Sequence, residues 1–270
     1  MIPTVTRNLL TDNPALYEAR FPDPDHAAGR FVDDIARTLL SDDRSRLSVL
    51  DLGCGTGRDL GFLAGQGYRC HGLDMSEQMV RYAAAEHAPV TASVDDLRDF
   101  DLQKSFDVIT CLDSSLLYCH TDTELASALG CARNHLRSDG LLIAEMRNGA
   151  FFLGNTELLD VPTLTSFDWE GRVWSAETTL WIDHASQLLR RRRAWTLPDS
   201  SEPLVQTSAW RLLFPLELAG HLERAGFSVW AMFDTPGPRT DPGWIPVSNL
   251  EGLRDSPLSG DRLHVVARAV

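Results

Sequence analysis

The stretch Ser48–Asp59, S-V-L-D-L-G-C-G-T-G-R-D, constrains the fold more than any other part of the chain. Ser48 to Leu52 is a short apolar run of the kind that a strand buried on both faces requires. Gly53, Gly55 and Gly57 then fall at every other position, and a segment of helical content follows. A strand, a glycine turn and a helix start together form a socket for an extended ligand. Glycine belongs there because the turn visits left-handed backbone angles, and because a missing Cβ lets a ligand lie against the main chain.

The spacing decides which ligand. A dinucleotide fingerprint, G-x-G-x-x-G/A, needs a small residue at position 58, where this chain has Arg58. Asp51, just ahead of the glycines, brings a carboxylate near the socket, which suits a cation and repels a pyrophosphate. S-adenosylmethionine (SAM) carries an ammonium and a sulfonium and no phosphate, and the helix start favours its one carboxylate. The acid and glycines at this spacing therefore point to SAM rather than NAD. On these residues the chain resembles the class I SAM-dependent methyltransferases, whose first motif reads D/E-x-G-x-G-x-G. The resemblance implies Asp51, Gly53, Gly55 and Gly57 as cofactor-binding residues.

The 270 residues suffice for one large domain, or for one domain with a sizeable insertion. A hydrophobic content of 43% with mixed charge reads as globular, and no apolar run reaches the ~20 residues of a membrane span. The opening M-I-P-T-V-T-R-N-L-L lacks the apolar core and cleavage site of a signal peptide. The five cysteines are scattered without a C-x-x-C pair, as expected of reduced thiols in a cytoplasmic protein, and no metal site is expected. A net charge of −13 argues against a nucleic-acid partner.

Along the chain, residues 13–40 read as two helices split by F-P-D-P-D at 21–25. Tyr17 lies in the first; packing at a helix seam is one reading, and the family resemblance offers another, a cap over cofactor and substrate. A second strand, Tyr68–Leu73, ends at Asp74, placed to accept both ribose hydroxyls of an adenosine. Met75 is placed against the adenine face or in the core, and Ser76 caps the next helix, which runs to about His87. A third strand, Val90–Val94, ends in D-D-L. The resemblance makes Asp96 and the Leu97 N–H the adenine contacts, with Asp95 as the alternative.

A fourth strand, Phe106–Leu112, leads into D-S-S-L-L-Y, which resembles the family's D-S-x-x-Y beside the methyl-transfer site. A helix from about Thr121 to Leu136 follows, and S-D-G turns the chain into a fifth strand, Leu141–Met146. Glu145, Arg147 and Asn148 cluster where strand ends meet, the ligand-binding edge of open α/β sheets. Candidate bases are Asp113, Tyr118, His120 and Glu145, with His184 and His221 weaker. Arg147 and Asn148 are the candidate substrate contacts.

Residues 150–211 show strand signals and no convincing helix: a hairpin turning at 184–187, with flanking strands at 165–169 and 205–212. The insertion's tryptophans dock it on the main body. The run Arg190–Arg193 is read either as a solvated, ion-paired strand or as a grip on an acidic substrate. A helix at 214–227, a strand at 228–233, a Pro/Gly-rich loop at 234–260 and a strand at 263–269 complete the pattern.

The expectation is an α/β, Rossmann-like, seven-stranded, mainly parallel sheet with helices on both faces and an antiparallel β lid inserted after strand five. SAM would lie over strands one, two and four, with residues 1–149 and 212–270 forming the SAM-binding domain and 150–211 the lid. The function this implies is methyl transfer from SAM to an N or O atom of a small molecule, similar to the sugar N-methyltransferases of antibiotic pathways. Two alternatives stand beside it: a SAM binder that does not methylate, and a methyltransferase acting on peptide or RNA. The small-molecule reading goes with a monomer or homodimer.

Overall fold

A computed structural model describes residues 8–197, 201–241, 243–246 and 250–270; the reading of residues 1–7 lies outside them. After helices α1 (Pro14–Arg20) and α2 (Ala27–Leu39), strand β1 (Ser48–Leu52) enters with every residue buried. There follow α3 (Arg58–Gly65), β2 (Arg69–Asp74), α4 (Glu77–Glu86), β3 (Thr91–Val94), β4 (Phe106–Cys111), α5 (Asp122–His135) and β5 (Leu136–Arg147). The chain returns later as α7 (Pro215–Arg224), β10 (Phe227–Phe233) and β11 (Arg262–Ala269), after the segment described below. The seven strands order as β10-β11-β5-β4-β1-β2-β3. Those from β5 to β3 pair in parallel, and β11 runs antiparallel to both neighbours.

Two apolar layers sandwich this sheet. Phe31, Val32 and Ile35 of α2 pack with Leu60 and Leu63 of α3 in one. Leu125, Ala128 and Leu129 of α5 pack with Leu218 and Leu222 of α7 in the other. Because β1 lies between β4 and β2, the glycine turn emerges at the centre of the sheet's carboxyl edge. Helix α5 is capped at its start, where Thr121 and Glu124 form a capping box.

The insertion begins with a correction. Residues 149–154 form a helix, α6 (Gly149–Gly154), and Thr156–Leu158 a single 3₁₀ turn, where no helix was expected. Six residues are too few to show a helical period, and the helix starts because the Asn148 side chain accepts the Ala150 N–H. A Cβ on Gly149 would lie 2.7 Å from the backbone of Leu212 and Leu213. Gly149→Ala should therefore cost about 1–3 kcal/mol in denaturant unfolding, by overpacking. An unchanged unfolding midpoint would show that this contact gives way freely.

Strands β6 (Thr163–Trp169), β7 (Arg172–Asp183), β8 (Leu188–Thr196) and β9 (Leu204–Arg211) then form an antiparallel four-stranded sheet in sequence order. Trp195 of β8 is fully buried with Leu9, Leu10 and Leu16, so the segment before α2 fastens this sheet to the body. A second correction concerns S-D-G at 138–140. The register passes from Phe106↔Leu136 to Val108↔Leu141, so these residues bulge within β5 rather than precede it, with Asp139 at φ 61.

Candidate active site

A cavity of about 540 Å³ opens over the carboxyl ends of β1, β2 and β4, with β9 and the segment before α2 forming its far walls. Its floor is the glycine turn, where Gly53, Gly55 and Gly57 have φ of 77, 53 and 74. Gly53 and Gly55 line the cavity, and a Cβ on Gly55 would project into space empty of protein atoms within 4 Å. Gly57 does not line it. A Cβ there would lie 2.7 Å from that of Ala83, so this glycine serves the packing of α3 against α4, which corrects its placement as a ligand contact.

Three acids stand around this floor. Asp51 accepts the Thr110 hydroxyl at 2.6 Å from inside the β1–β4 pair. Burial pushes its pKa up to about 7, with Thr110 opposing and Asp59 and Asp74 adding to the rise. Asp74 accepts the Gly55 N–H at 2.9 Å and the Ser76 N–H at 2.8 Å, so its carboxylate pins the turn to the start of α4. Burial raises its pKa while those two bonds partly offset the rise. Asp59, which the sequence reading did not single out, also borders the cavity. Met75 lines the opening beside Asp74, 65% exposed, so it is not core.

The adenine-side expectation needs correcting. Asp96 is held by Arg98, which donates from its backbone N–H, Nε and Nη2, and whose Nη1 reaches Glu124. That guanidinium keeps the Asp96 carboxyl below its usual range. Asp95 and Leu97 line the cavity instead. In a tight turn adjacent side chains diverge, and the arginine two residues on selects which acid it takes.

At the end of β4, Asp113 and Ser114 occupy the left-handed region with φ of 50 and 67. Asp113 accepts the Tyr17 hydroxyl at 3.1 Å and lies 3.3 Å from Arg239 Nε. Burial, reinforced by Asp113, raises the Tyr17 pKa, so the phenol stays a donor. Burial works against the Arg239 charge, but Asp113 and Glu145 outweigh it. Tyr118 and His120 complete this wall. His120 Nε2 lies 3.1 Å from the Ala209 carbonyl, which can only accept. That nitrogen therefore carries the hydrogen, and the lone pair of the neutral ring sits on Nδ1.

Three residues expected here sit behind the cavity wall. Glu145 is 1% exposed, accepts the Asp113 N–H at 2.9 Å and pairs with Arg262 at 3.0 Å, so it braces Asp113. Asn148 donates to the Leu258 and Gly260 carbonyls and caps α6, which uses up its amide. Arg147 lies over Trp210 at 5.1 Å and Phe152 at 5.6 Å and does not line the cavity. The arginine run divides by strand alternation: Arg190 pairs with Asp183, while Arg191 faces the cavity over Trp210 at 4.6 Å. Arg239 gave no sequence signal, since its Pro/Gly-rich loop has no period. Arg58 donates to Glu18 and to the Phe21 carbonyl, tying α1 to the glycine turn.

Away from the cavity, Asp122, Glu217 and His221 converge, but the Arg211 guanidinium donates to both carboxylates and fills the space between them. No helix of the described residues is long and apolar enough to cross a membrane.

Comparison with known proteins bears on this geometry. Residues 49–140, which run from β1 through the glycine turn to the bulge of β5, match the family model described as "Methyltransferase domain". This stretch is similar to a methyltransferase domain over about a third of the chain. The curated relatives likewise cover only part of the chain. The dTDP-4-amino-2,3,4,6-tetradeoxy-D-glucose N,N-dimethyltransferase of Saccharopolyspora spinosa is 34% identical over 131 residues, 48% of this chain and 51% of that protein. The dTDP-3-amino-3,4,6-trideoxy-alpha-D-glucopyranose N,N-dimethyltransferase of Streptomyces venezuelae is 32% identical over 112 residues, 42% of this chain and 47% of that protein. The chain thus spans about half the length of the curated relatives it matches.

The fold agreement extends further. SAM-bound CalS10, an amino pentose methyltransferase of Micromonospora echinaspora, superposes with a TM-score of 0.72 at 22% identity, covering 95% of this chain and 96% of that one. DesVI of Streptomyces venezuelae gives 0.70 at 20% identity, covering 98% and 99%. Sheet, helices and β insertion together are the fold of these proteins.

Proposed function

We propose that this chain is a SAM-dependent methyltransferase that methylates the amine nitrogen of a small molecule, an amino sugar carried on a nucleotide. The observation that carries the proposal is the cavity itself: a bare glycine floor with Asp74 at one end, and a wall of Tyr17, Asp113, Tyr118 and His120 at the other. The residues fit SAM. The empty space above Gly55 accepts a ligand lying on the backbone, and Asp74 is fixed by two N–H bonds at the tip of β2, in place for ribose hydroxyls. In this reading Asp95, Leu97 and Met75 border the adenine and Asp51, Gly53 and Gly55 lie under the middle of the ligand; all six line the cavity. Asp113 and Tyr17 stand on the acceptor side with Tyr118 and His120.

SAM supplies an electrophilic sulfonium methyl. The chain's task is to exclude water and to hold an acceptor atom about 3–3.5 Å from that carbon in line. Tyr17, held by Asp113, presents its oxygen to the cavity. His120 Nδ1 is the lone pair available to take a proton from an ammonium before it acts as nucleophile. The amine is favoured over a hydroxyl by the relatives, which are N,N-dimethyltransferases of dTDP-amino sugars. A charged partner is favoured by Arg191, a cation on the cavity wall of a chain with net charge −13. Ser208 of β9 lines the same wall, and its buried hydroxyl has no hydrogen-bond partner among the described residues, which suits a polar substrate. In this reading residues 1–149 and 212–270 form the SAM-binding domain and 150–211 the lid, and the protein works in the cytoplasm as a monomer or homodimer.

The test is incubation with methyl-labelled SAM and a panel of dTDP-3-amino and dTDP-4-amino sugars beside their hydroxyl counterparts. Label should appear on the amine, with demethylated SAM as coproduct. Label on a hydroxyl would overturn the choice of atom. SAM binding by calorimetry with no label in any product would leave a non-methylating SAM binder.

A further inference from the structure

We propose that Asp59 holds a primary ammonium in the cavity, the α-ammonium at the methionine end of SAM; this rests on the cofactor reading above. Asp59 is the second residue of α3, directly beyond the glycine turn, and it lines the cavity. Its Oδ1 is buried and accepts no hydrogen bond; among the described residues it is the only buried carboxylate oxygen in that condition. Such an oxygen is expensive to leave without a donor, more so when ionised. Burial raises the Asp59 pKa, and the charges of Arg58 and Arg239 only partly offset it.

The other acids around the cavity are already engaged. Asp51 takes the Thr110 hydroxyl, Asp74 two backbone N–H groups, Asp95 the Asp96 N–H, and Asp113 the Tyr17 hydroxyl and Arg239. Glu18 takes Thr56 and Arg58. Among the described acids around the cavity, Asp59 alone has a desolvated oxygen without a hydrogen-bond donor, and a primary ammonium supplies the donor and the positive charge. Two molecules of the proposed reaction carry that group: SAM and the amino sugar. The position selects SAM, because Asp59 follows Gly57 by two residues. There the first turn of α3 also favours the α-carboxylate of the same amino acid. The acceptor-side groups Tyr118, His120 and Arg191 come from the other elements of the wall. Asp51 then acts on SAM through its field from beneath the turn.

The experiment compares demethylated SAM with its analogue lacking the α-amino group, and with 5′-methylthioadenosine, by calorimetry on the wild-type protein and on Asp59→Asn. Wild type should bind demethylated SAM about 10–100-fold more tightly than the deaminated analogue, the range of a charge-assisted hydrogen bond. In Asp59→Asn that ratio should collapse towards one, while 5′-methylthioadenosine binds both proteins alike. Equal affinity of wild type for demethylated SAM and its deaminated analogue overturns the proposal, whether or not the variant folds. So does a variant that weakens all three ligands equally. A variant that binds SAM normally but raises KM for the amino sugar assigns the ammonium to the acceptor and also overturns it. Failure of wild type to bind any of the three removes the cofactor reading itself, a separate result.

Discussion

Asp74→Ala is expected to weaken SAM binding by about 2–3 kcal/mol, roughly 30–150-fold in Kd, a larger loss than ribose contacts alone imply. Two effects add. The ribose hydroxyls lose an ionised acceptor, and the Gly55 and Ser76 N–H groups lose the carboxylate that now holds them at 2.9 and 2.8 Å. Gly55 sits at φ 53 and is free to leave that geometry once its N–H is released, so the floor of the cavity loosens with the ribose site. Asp74→Asn keeps one accepting oxygen and should lose about half as much. Calorimetry with SAM and with demethylated SAM reads both effects, and the two ligands should weaken in parallel because they share the adenosine. Undiminished affinity in the alanine variant would remove Asp74 from the ribose site.

The half of the site built on β1, the glycine turn and β2 was legible in the sequence because its physics is local. A strand buried on both faces must be apolar throughout, and a turn with three positive φ values selects glycine, so Leu50, Leu52, Gly53 and Gly55 declare themselves. The acceptor half was not legible, because contacts distant in sequence decide it. Glu145, Arg147 and Asn148 end a strand at the ligand-binding edge, as read. Their side chains are nevertheless claimed by Arg262 from β11, by Trp210 from β9 and by the carbonyls of Leu258 and Gly260. The choice between Asp95 and Asp96 turned on the reach of Arg98, which spacing does not encode. Arg239 comes from a loop whose composition says only that it is a loop, yet it neutralises Asp113 and approaches Glu145 at 3.8 Å. The arginine run was decidable in part: alternation separates Arg190 from Arg191, but the facing sheet decides which of the two meets the cavity.

Asp51 supplies the other large effect, with opposite signs for stability and binding. Its folded-state pKa of about 7 lies above the ordinary 3.8, because burial disfavours the charge more than Thr110 favours it. The folded protein therefore holds a proton there that the unfolded chain has released between about pH 4 and 7. Stability from this group is fully present below pH 4, falls as pH rises through that window and stays low above it. Asn at this position keeps an oxygen to accept from Thr110 and cannot ionise, so Asp51→Asn should stabilise the ligand-free protein by about 2–4 kcal/mol at pH 8. The gain should vanish near pH 4, and at pH 8 it should raise Tm by about 5–10 °C. SAM binding should move the other way. A cation above the turn favours the ionised carboxylate, so wild-type affinity should rise with pH through about 7, with proton release on binding below that pH. The Asn variant should bind more weakly, and its affinity should not follow this titration. Melting curves from pH 4 to 8, and calorimetry in two buffers of different ionisation enthalpy, measure both. A variant that melts no higher than wild type at pH 8 would show that Asp51 is held without strain. The charge beneath the glycine turn would then not be kept, at a cost in stability, for a cationic ligand.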